Sequence, residues 1–336
     1  MNTPSLNIDF VVVLPHLRVR NANAVSSPLT WGFPPPSAFT GFAHAIERRL
    51  HAVGHAVRLV GTGIVSHRFE PQVSKPGGWR PGVFCLTRNP HDKEGNPSAI
   101  VEEGRAHLEL SLVLAIRCDA FVDEVTRDEI AESIQQLALG MRLAGGSVMP
   151  SGDHQEVICV AWPDAEDQPQ AWRKLRKRLL PGFVLVGREA LLKTHLTSMR
   201  ATDPKVNTLD ALLDLCRLNM EPQSPKPSAE AASEPDTGKV EWRNRRPARG
   251  WLVPLPVGYA AISELYEPGA VKGARDQSVP FRFVESVLTL GEWINPLRLL
   301  SIEQALWWHD AQPDAGLYRL GNGYTPRHAS TTDTPG

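Results

Sequence analysis

The first strong pattern is the run Ile8 to Leu14, IDFVVVL, whose β-branched and aromatic content predicts a central strand. Even positions are apolar up to Leu14, and polar at His16, Arg18 and Arg20. A change of phase at Pro15 predicts a bulge or bend at the strand end. Residues 21–36, NANAVSSPLTWGFPPP, read as an ordered loop with no regular element. Phe39, Phe42, Ile46 and Leu50 then recur three and four apart, which predicts a helix over about 37–51. Gly61 to Gly104 is rich in glycine and proline and reads as an irregular excursion containing a hairpin. Strict alternation of Leu108, Leu110, Leu112, Leu114 and Ile116 predicts a half-buried strand over 107–117.

Thr126 and Glu129 have the spacing of a capping box. The helix behind them shows Ile130, Ile134, Leu137 and Met141 on one side and ends at LAGGSVMPSG, 143–152, ahead of a strand over Val157–Trp162. Two more helices are expected. Over 170–180 the buried stripe is Trp172, Leu175 and Leu179; over 206–218 it is Val206, Leu209, Leu213 and Cys216. Residues 219–238, with four prolines and few large apolar side chains, read as a disordered linker or a loop leaving a surface hairpin. Beyond it, 251–262 reads as a broken strand pair, 281–290 as a strand and 301–310 as a short helix. The tail from His328 is expected to fray.

Two β-α-β patterns near the N-terminus make the expected fold class α+β, built on a ferredoxin-like sheet. The expected organisation is a ferredoxin-like domain over 1–165 with a Gly/Pro-rich excursion at 60–105. A helical, basic segment over 166–218, the linker at 219–238 and a β-rich portion over 239–330 follow it. A chain of 336 residues suits slightly more than two domains of about 150 each.

Charge narrows the function classes. With 36 basic and 37 acidic residues the formal charge is -1, too balanced for a protein that coats nucleic acid without specificity. The distribution is uneven. Arg117–Glu132 carries six acids and two bases, Trp172–Arg188 six bases and no acid, and Lys239–Gly250 five bases and one acid. Single-sign runs are commonly solvated faces, but basic runs beside Trp172, Trp242 and Trp251 also suit single-stranded RNA. No apolar stretch is long enough to span a membrane and no basic leader precedes the first apolar run, so a cytoplasmic chain is expected.

Candidate chemistry is sparse. None of the four cysteines has CxxC spacing, and there is no HExxH, G-x-S-x-G or phosphate-binding G-x-x-x-x-G-K-[ST] string. His51 and His55 share a helix face without a carboxylate between them. No metal, cofactor or catalytic set is expected. Arg18, Arg20, Asn21 and Asn23 cluster at a strand end, where they suit phosphates and base edges or serve the fold. Gly145 and Gly146, ahead of Ser147, either cap a helix or let backbone N–H groups approach a phosphate. Arg173, Lys177 and Arg178 stand off the buried stripe of their helix and suit phosphates or an acidic partner surface. Trp31 and Phe33 either pack into a core or form a platform for a base or partner; Arg245 and Arg246 in the third basic run are further partner or stacking candidates.

The run Leu17-Arg18-Val19-Arg20-Asn21-Ala22-Asn23-Ala24 through Phe42 resembles the N-terminus of the Cas5-like subunits of type I-F CRISPR surveillance complexes. LAGGSV at 143–148 and SVPFRFVESVLTLGEWINP at 278–296 are similar to the middle and C-terminal region of that family. The resemblance implies a non-catalytic scaffold with a ferredoxin-like, RRM-like RAMP fold and an extended thumb-like portion. It implies binding of the CRISPR RNA 5′ handle, pairing with the large subunit, and contact with the adjacent backbone subunit. The assembled complex would recognise target double-stranded DNA. Two rival functions are a metal-independent CRISPR RNA endonuclease, using His16 or His44 near a 2′-OH, and a protein-only structural subunit.

Overall fold

A computed structural model describes residues 5–75, 77, 82–85, 91, 94–97, 104–150, 156–223, 241–244 and 250–326. It is a mixed α+β fold with several sheets. Contacts divide the chain into two compact units: Met1–Gly187 with Leu255–Leu288 and Trp293–Gly336, and Arg188–Pro254 with Thr289–Glu292.

The elements up to Gly187 are β1 (Phe10–Asn23), β2 (Val25–Ser27), β3 (Thr30–Trp31), α1 (Pro36–Ala52), β4 (Val57–Pro71), β5 (Val73–Ser74) and β6 (Val83–Phe84). There follow β7 (Arg105–Cys118), α2 (Glu124–Leu139), β8 (Arg142–Leu143), β9 (Gly146–Met149), β10 (Ile158–Ala161), α3 (Gln168–Lys177) and β11 (Phe183–Gly187). The rest comprises α4 (Glu189–Thr202), α5 (Thr208–Cys216), β12 (Met220–Gln223), β13 (Glu241–Asn244), β14 (Trp251–Ala261), β15 (Val284–Ile294), β16 (Leu306–Gln312) and β17 (Leu317–Asn322).

In the first unit the order β17-β16-β4-β7-β1-β9-β8 runs through the largest sheet, with β10 also on β1 and β11 also on β4. The strands β10, β1, β7 and β4 pair antiparallel throughout, and α1 and α2 connect β1 to β4 and β7 to the hairpin preceding β10. Val11 and Val13 of β1 join a core with Val65, Val113, Trp172, Leu175 and Leu179. Phe10, Val12 and Leu14 are equally buried on the opposite face, the side of α1 and α2. The alternating run of β7 is therefore buried on both faces from Leu110 to Ile116, and not half-buried as its pattern predicts.

The phase change at Pro15 is a bulge, as expected, and a second one follows. The β1–β7 register shifts between Leu14 and Leu17, where His16 has φ 48°, and again between Val19 and Ala22, where Asn21 has φ 58°. Each extra residue turns the alternation over. β1 consequently continues to Asn23, and β2 and β3 form a small hairpin within the stretch expected to lack regular structure. Main-chain pairing along β7 holds this polar segment extended despite its loop-like composition. The same pairing makes Gly61–Pro71 part of β4, and only the β5–β6 hairpin remains of the expected excursion among the described residues.

Other expectations shift for local reasons. α1 buries Phe39, Phe42, Ile46 and Leu50 as predicted. α2 is capped by Asp123, whose carboxylate accepts from the Thr126 N–H at 2.9 Å, which replaces the expected Thr126–Glu129 box. β14 is one strand where a broken pair was expected, and β15 starts at Val284 and continues to Ile294. The predicted helix at 301–310 is a single 3₁₀ turn, Ile302–Gln304, followed by β16. There tertiary pairing with β4 and β17 overrides helix-forming composition.

In the second unit α4 has no counterpart in the predicted elements. Asn207 and Asp210 form a reciprocal capping box on α5, at 2.8 to 3.1 Å. α5 buries Ala211, Leu212 and Leu215, leaving Leu209 and Leu213 exposed, so the predicted stripe is rotated. β12 pairs antiparallel with β13 and brackets most of the proline-rich stretch, which lies outside the described residues, as does the tail from His328. Arg188 pairs with the buried Glu292 carboxylate.

Candidate nucleic-acid interface

The two bulges decide which side chains the end of β1 presents. Leu17, Val19 and Ala22 are buried, while Arg18, Arg20, Asn21 and Asn23 are all exposed. Simple alternation from Arg18 would have turned the two asparagines inward; the bulge at Asn21 turns them out. Neighbouring strands extend this face. Arg20 sits opposite Ser147 of β9, and Ser147 opposite Arg142 of β8. Arg18 lies between Met149 of β9 and Glu109 of β7, and Glu109 lies opposite Arg68 of β4. Directly opposed side chains stand about 5 Å apart, so two adjacent cross-strand rows carry four arginines. Arg68 also pairs with Glu70 at 3.0 Å. Sequence reasoning missed Arg142 and Arg68, because only strand register places them beside Arg20 and Arg18.

Gly145 and Gly146 do not cap a helix. α2 ends at Leu139 with Gly140 as its cap, and the glycines belong to the β8–β9 hairpin. Ala144 and Gly145 have φ of 50° and 75°, both left-handed, as a two-residue hairpin turn requires. Gly146 answers a different need: a Cβ there would lie 2.6 Å from the Arg20 carbonyl oxygen and 2.7 Å from the Ala22 nitrogen. The Asn23 N–H donates to the Ala144 oxygen at 2.8 Å, which pins the hairpin tip to β1.

The asparagines are partly engaged. Asn21 Oδ1 accepts from Gln72 Nε2 at 2.6 Å, and its N–H donates to His107 Nδ1 at 3.3 Å. Asn23 closes on Val25, with Nδ2 donating to its carbonyl at 2.9 Å and Oδ1 accepting its N–H at 3.1 Å. Asn23 therefore shapes the turn into β2.

A polar cluster, of which sequence reasoning named only His16, flanks the arginines. The bulge residues His16 of β1 and His67 of β4 stack with centroids 4.0 Å apart across β7. His67 Nδ1 faces the Pro181 carbonyl at 2.5 Å, so Nδ1 donates and Nε2 accepts from the Ser111 hydroxyl at 2.7 Å. Ser111 Oγ accepts the His16 N–H at 3.0 Å, and His16 Nδ1 meets Glu109 at 2.7 Å. Burial lowers the His67 pKa, with the nearby His16 acting the same way and the Pro181 contact opposing. The available signal was Ser111, the one small polar residue inside the run LSLVLAI.

The remaining candidates divide. Trp31 is 63% exposed and meets Phe84 edge-on at 5.4 Å, whereas Phe33 stacks on Phe39 at 5.5 Å and meets Trp293 at 4.8 Å. Trp172 is buried, and its indole N–H donates to the Leu299 oxygen at 3.0 Å, so it cannot stack on a base. Arg176 donates to the Leu297 and Leu299 oxygens at 3.0 and 2.6 Å. Arg173, Lys177 and Arg178 remain exposed along α3 and at its end, and α3 packs against Val11 and Val13. Arg245 and Arg246 lie outside the described residues. His51 Nε2 meets the Val57 carbonyl at 2.6 Å and His44 pairs with Glu47 at 3.8 Å. Among the described residues no three His, Cys, Asp or Glu side chains converge as a metal site.

Cross-strand arginines and a glycine hairpin thus share one exposed sheet face of an α+β scaffold. Comparison with known proteins gives that surface its context. Residues 12–320 match the family described as CRISPR-associated protein (Cas_Csy2), and the chain belongs to that family. It is 50% identical over 325 residues to the CRISPR-associated protein Csy2 of Pseudomonas aeruginosa (strain UCBPP-PA14), covering 95% of this chain and 97% of that protein. Family membership makes it a non-catalytic, RNA-binding subunit of the type I-F CRISPR surveillance complex. The endonuclease reading on His16 or His44 is thereby set aside. No helix among the described residues is long and apolar enough to cross a membrane.

Proposed function

We propose that the exposed end of β1 and the β8–β9 hairpin hold the 5′ handle of the CRISPR RNA on a ferredoxin-like RAMP scaffold. The observation that carries this reading is the row Arg20–Ser147–Arg142 beside Arg18, brought together by register and by the close approach that Gly146 permits. The antiparallel order β10-β1-β7-β4, with helices between β1 and β4 and after β7, supports the ferredoxin-like assignment. Arginines on rigid strands contact phosphates at little entropic cost, and the exposed Trp31 beyond β2 offers a ring to an unpaired base. The large subunit and the adjacent backbone subunit flank this end of the chain, and target double-stranded DNA is met through the assembled complex.

Site-mapped ultraviolet cross-linking of the complex on guide RNA tests the placement. Handle nucleotides are expected to cross-link within 18–31 and 142–149. Cross-links confined to 172–188 would move the site to α3. A complex with no cross-link to this chain would favour the protein-only structural subunit.

A further inference from the structure

We infer that the opposite end of the same sheet is a protein-docking surface, an apolar knob of Phe121 and Val125 in an acidic rim. Its occupant is a neighbouring protein subunit presenting an apolar pocket edged with lysine or arginine. The inference rests on the chain acting inside a multi-subunit complex.

β1 begins at Phe10 and β7 ends at Cys118 at this pole, whereas Arg18 and Arg20 lie near the other end of β1. At 3.3 Å per residue the separation along β1 is roughly 30 Å. The loop between β7 and α2 is pinned from both sides. The Cys118 N–H donates to Asp9 Oδ2 at 2.7 Å, and Arg127 donates to the Val122 oxygen at 3.1 Å. Between these anchors Phe121 stands 94% exposed, and Val125 on the first turn of α2 is 67% exposed. Phe121 and Val125, four residues apart on an anchored loop and the helix after it, present apolar surface that folding does not bury.

The charge around the knob selects the partner. Asp119, Asp123, Glu124, Asp128 and Glu129 are exposed in this stretch, against Arg117 and the half-buried Arg127, and Arg58 reaches Asp119 at 3.6 Å. Phe121 itself lines a pocket of about 380 Å³, together with Phe10 and Val122 and the charged Asp9, Asp119 and Arg127. Burial, with the charges of Asp9 and Asp119 adding to it and Arg127 opposing, pushes the Cys118 thiol up to about 11. The exposed carboxylates of this stretch favour a cationic partner surface over a phosphate backbone. A second copy of this pole is disfavoured by like-charge repulsion.

Hydrogen exchange on the wild-type complex assembled on guide RNA, compared with the isolated chain, tests this without mutation. Amides in 117–132 are expected to slow at least tenfold on assembly. Phe121→Glu and the charge reversal Glu124→Lys/Asp128→Lys, each checked for native circular dichroism, should lose one protein subunit from the native mass spectrum while cross-links at 18–23 persist. Unchanged exchange over 117–132 in the wild-type complex overturns the inference. So does full stoichiometry with Phe121→Glu, an RNA cross-link at 119–125, or self-association of the isolated chain that Phe121→Glu abolishes. Failure of the handle-site reading looks different, because cross-links at 18–31 and 142–149 would be missing whatever happens at 117–132.

Discussion

Replacing Gly146 by alanine probes the contact on which the proposed RNA-binding surface is built. The added Cβ would stand 2.6 Å from the Arg20 oxygen, 2.7 Å from the Ala22 nitrogen and 2.8 Å from Val19 Cγ1. Comfortable contact is about 3.5 Å, so the hairpin must withdraw by roughly 1 Å. Two of the three obstructing atoms are main chain of a strand paired on both sides, so no rotamer change relieves the clash. Overpacking of this kind costs about 1–3 kcal/mol, and the rigid neighbours place it toward the upper end. Withdrawal also separates Arg142 and Ser147 from Arg20. A urea melt should show a lower midpoint at an unchanged slope, and cross-linking of handle RNA at 18–23 should fall in the folded protein. Gly145 supplies the control. Nothing lies within 4 Å of its Cβ position, and only its φ of 75° constrains it. Gly145→Asn should therefore remain near wild type, because asparagine tolerates the left-handed region, while Gly146→Asn should be as damaging as the alanine. Wild-type stability and cross-linking in Gly146→Ala would refute the close-approach argument.

Other predictions concern charge and protonation. Arg20→Ala and Arg142→Ala should leave the melting temperature unchanged and each reduce the salt slope of RNA-dependent assembly by about 0.7, the value for one single-strand phosphate contact. The triple change Arg173→Ala/Lys177→Ala/Arg178→Ala should weaken assembly and lower the salt slope if α3 contacts phosphate; an unchanged slope makes it a solvated face. The folded pKa of His67 is depressed by burial, so the unfolded chain binds more protons near its ordinary value, and stability should fall as pH drops below about 6.5. His309, lowered for the same reason, acts with the same sign, so the measurement is the difference between wild type and His67→Gln. The difference should be flat above pH 7 and should narrow as the pH falls below that range.

The N-terminal strand, the Pro15 bulge, the α1 stripe and the buried side of α3 were legible because each depends on residues close in sequence. Apolar side chains at period two or three and four must find one buried face, and a proline without an N–H must sit where the ladder can spare it. The strand-end cluster Arg18, Arg20, Asn21 and Asn23 was legible for the same reason, as polar residues following an apolar run. The family resemblance of 17–42 carried the functional class.

What the sequence left open was everything set by pairing between distant segments. Composition reads 21–36 and Gly61–Pro71 as loop, yet β7 pairs with Ala22, Asn23 and nearly all of Gly61–Pro71, and β2 and β3 pair with each other. Leu306–Gln312 looks helical until β4 and β17 flank it, and Trp307 is buried there with its indole N–H on the Leu185 oxygen at 2.9 Å. Trp172 looks like a stacking ring until α3 turns it into the core. Gly145 and Gly146 carry the same letter and do different work, one for its dihedral angle and one for the strand beside it. Local propensities span about 1 kcal/mol per residue, whereas an unpaired buried peptide group costs more than that. Tertiary pairing therefore decides wherever the two disagree, and it is register that sets Arg142 beside Arg20.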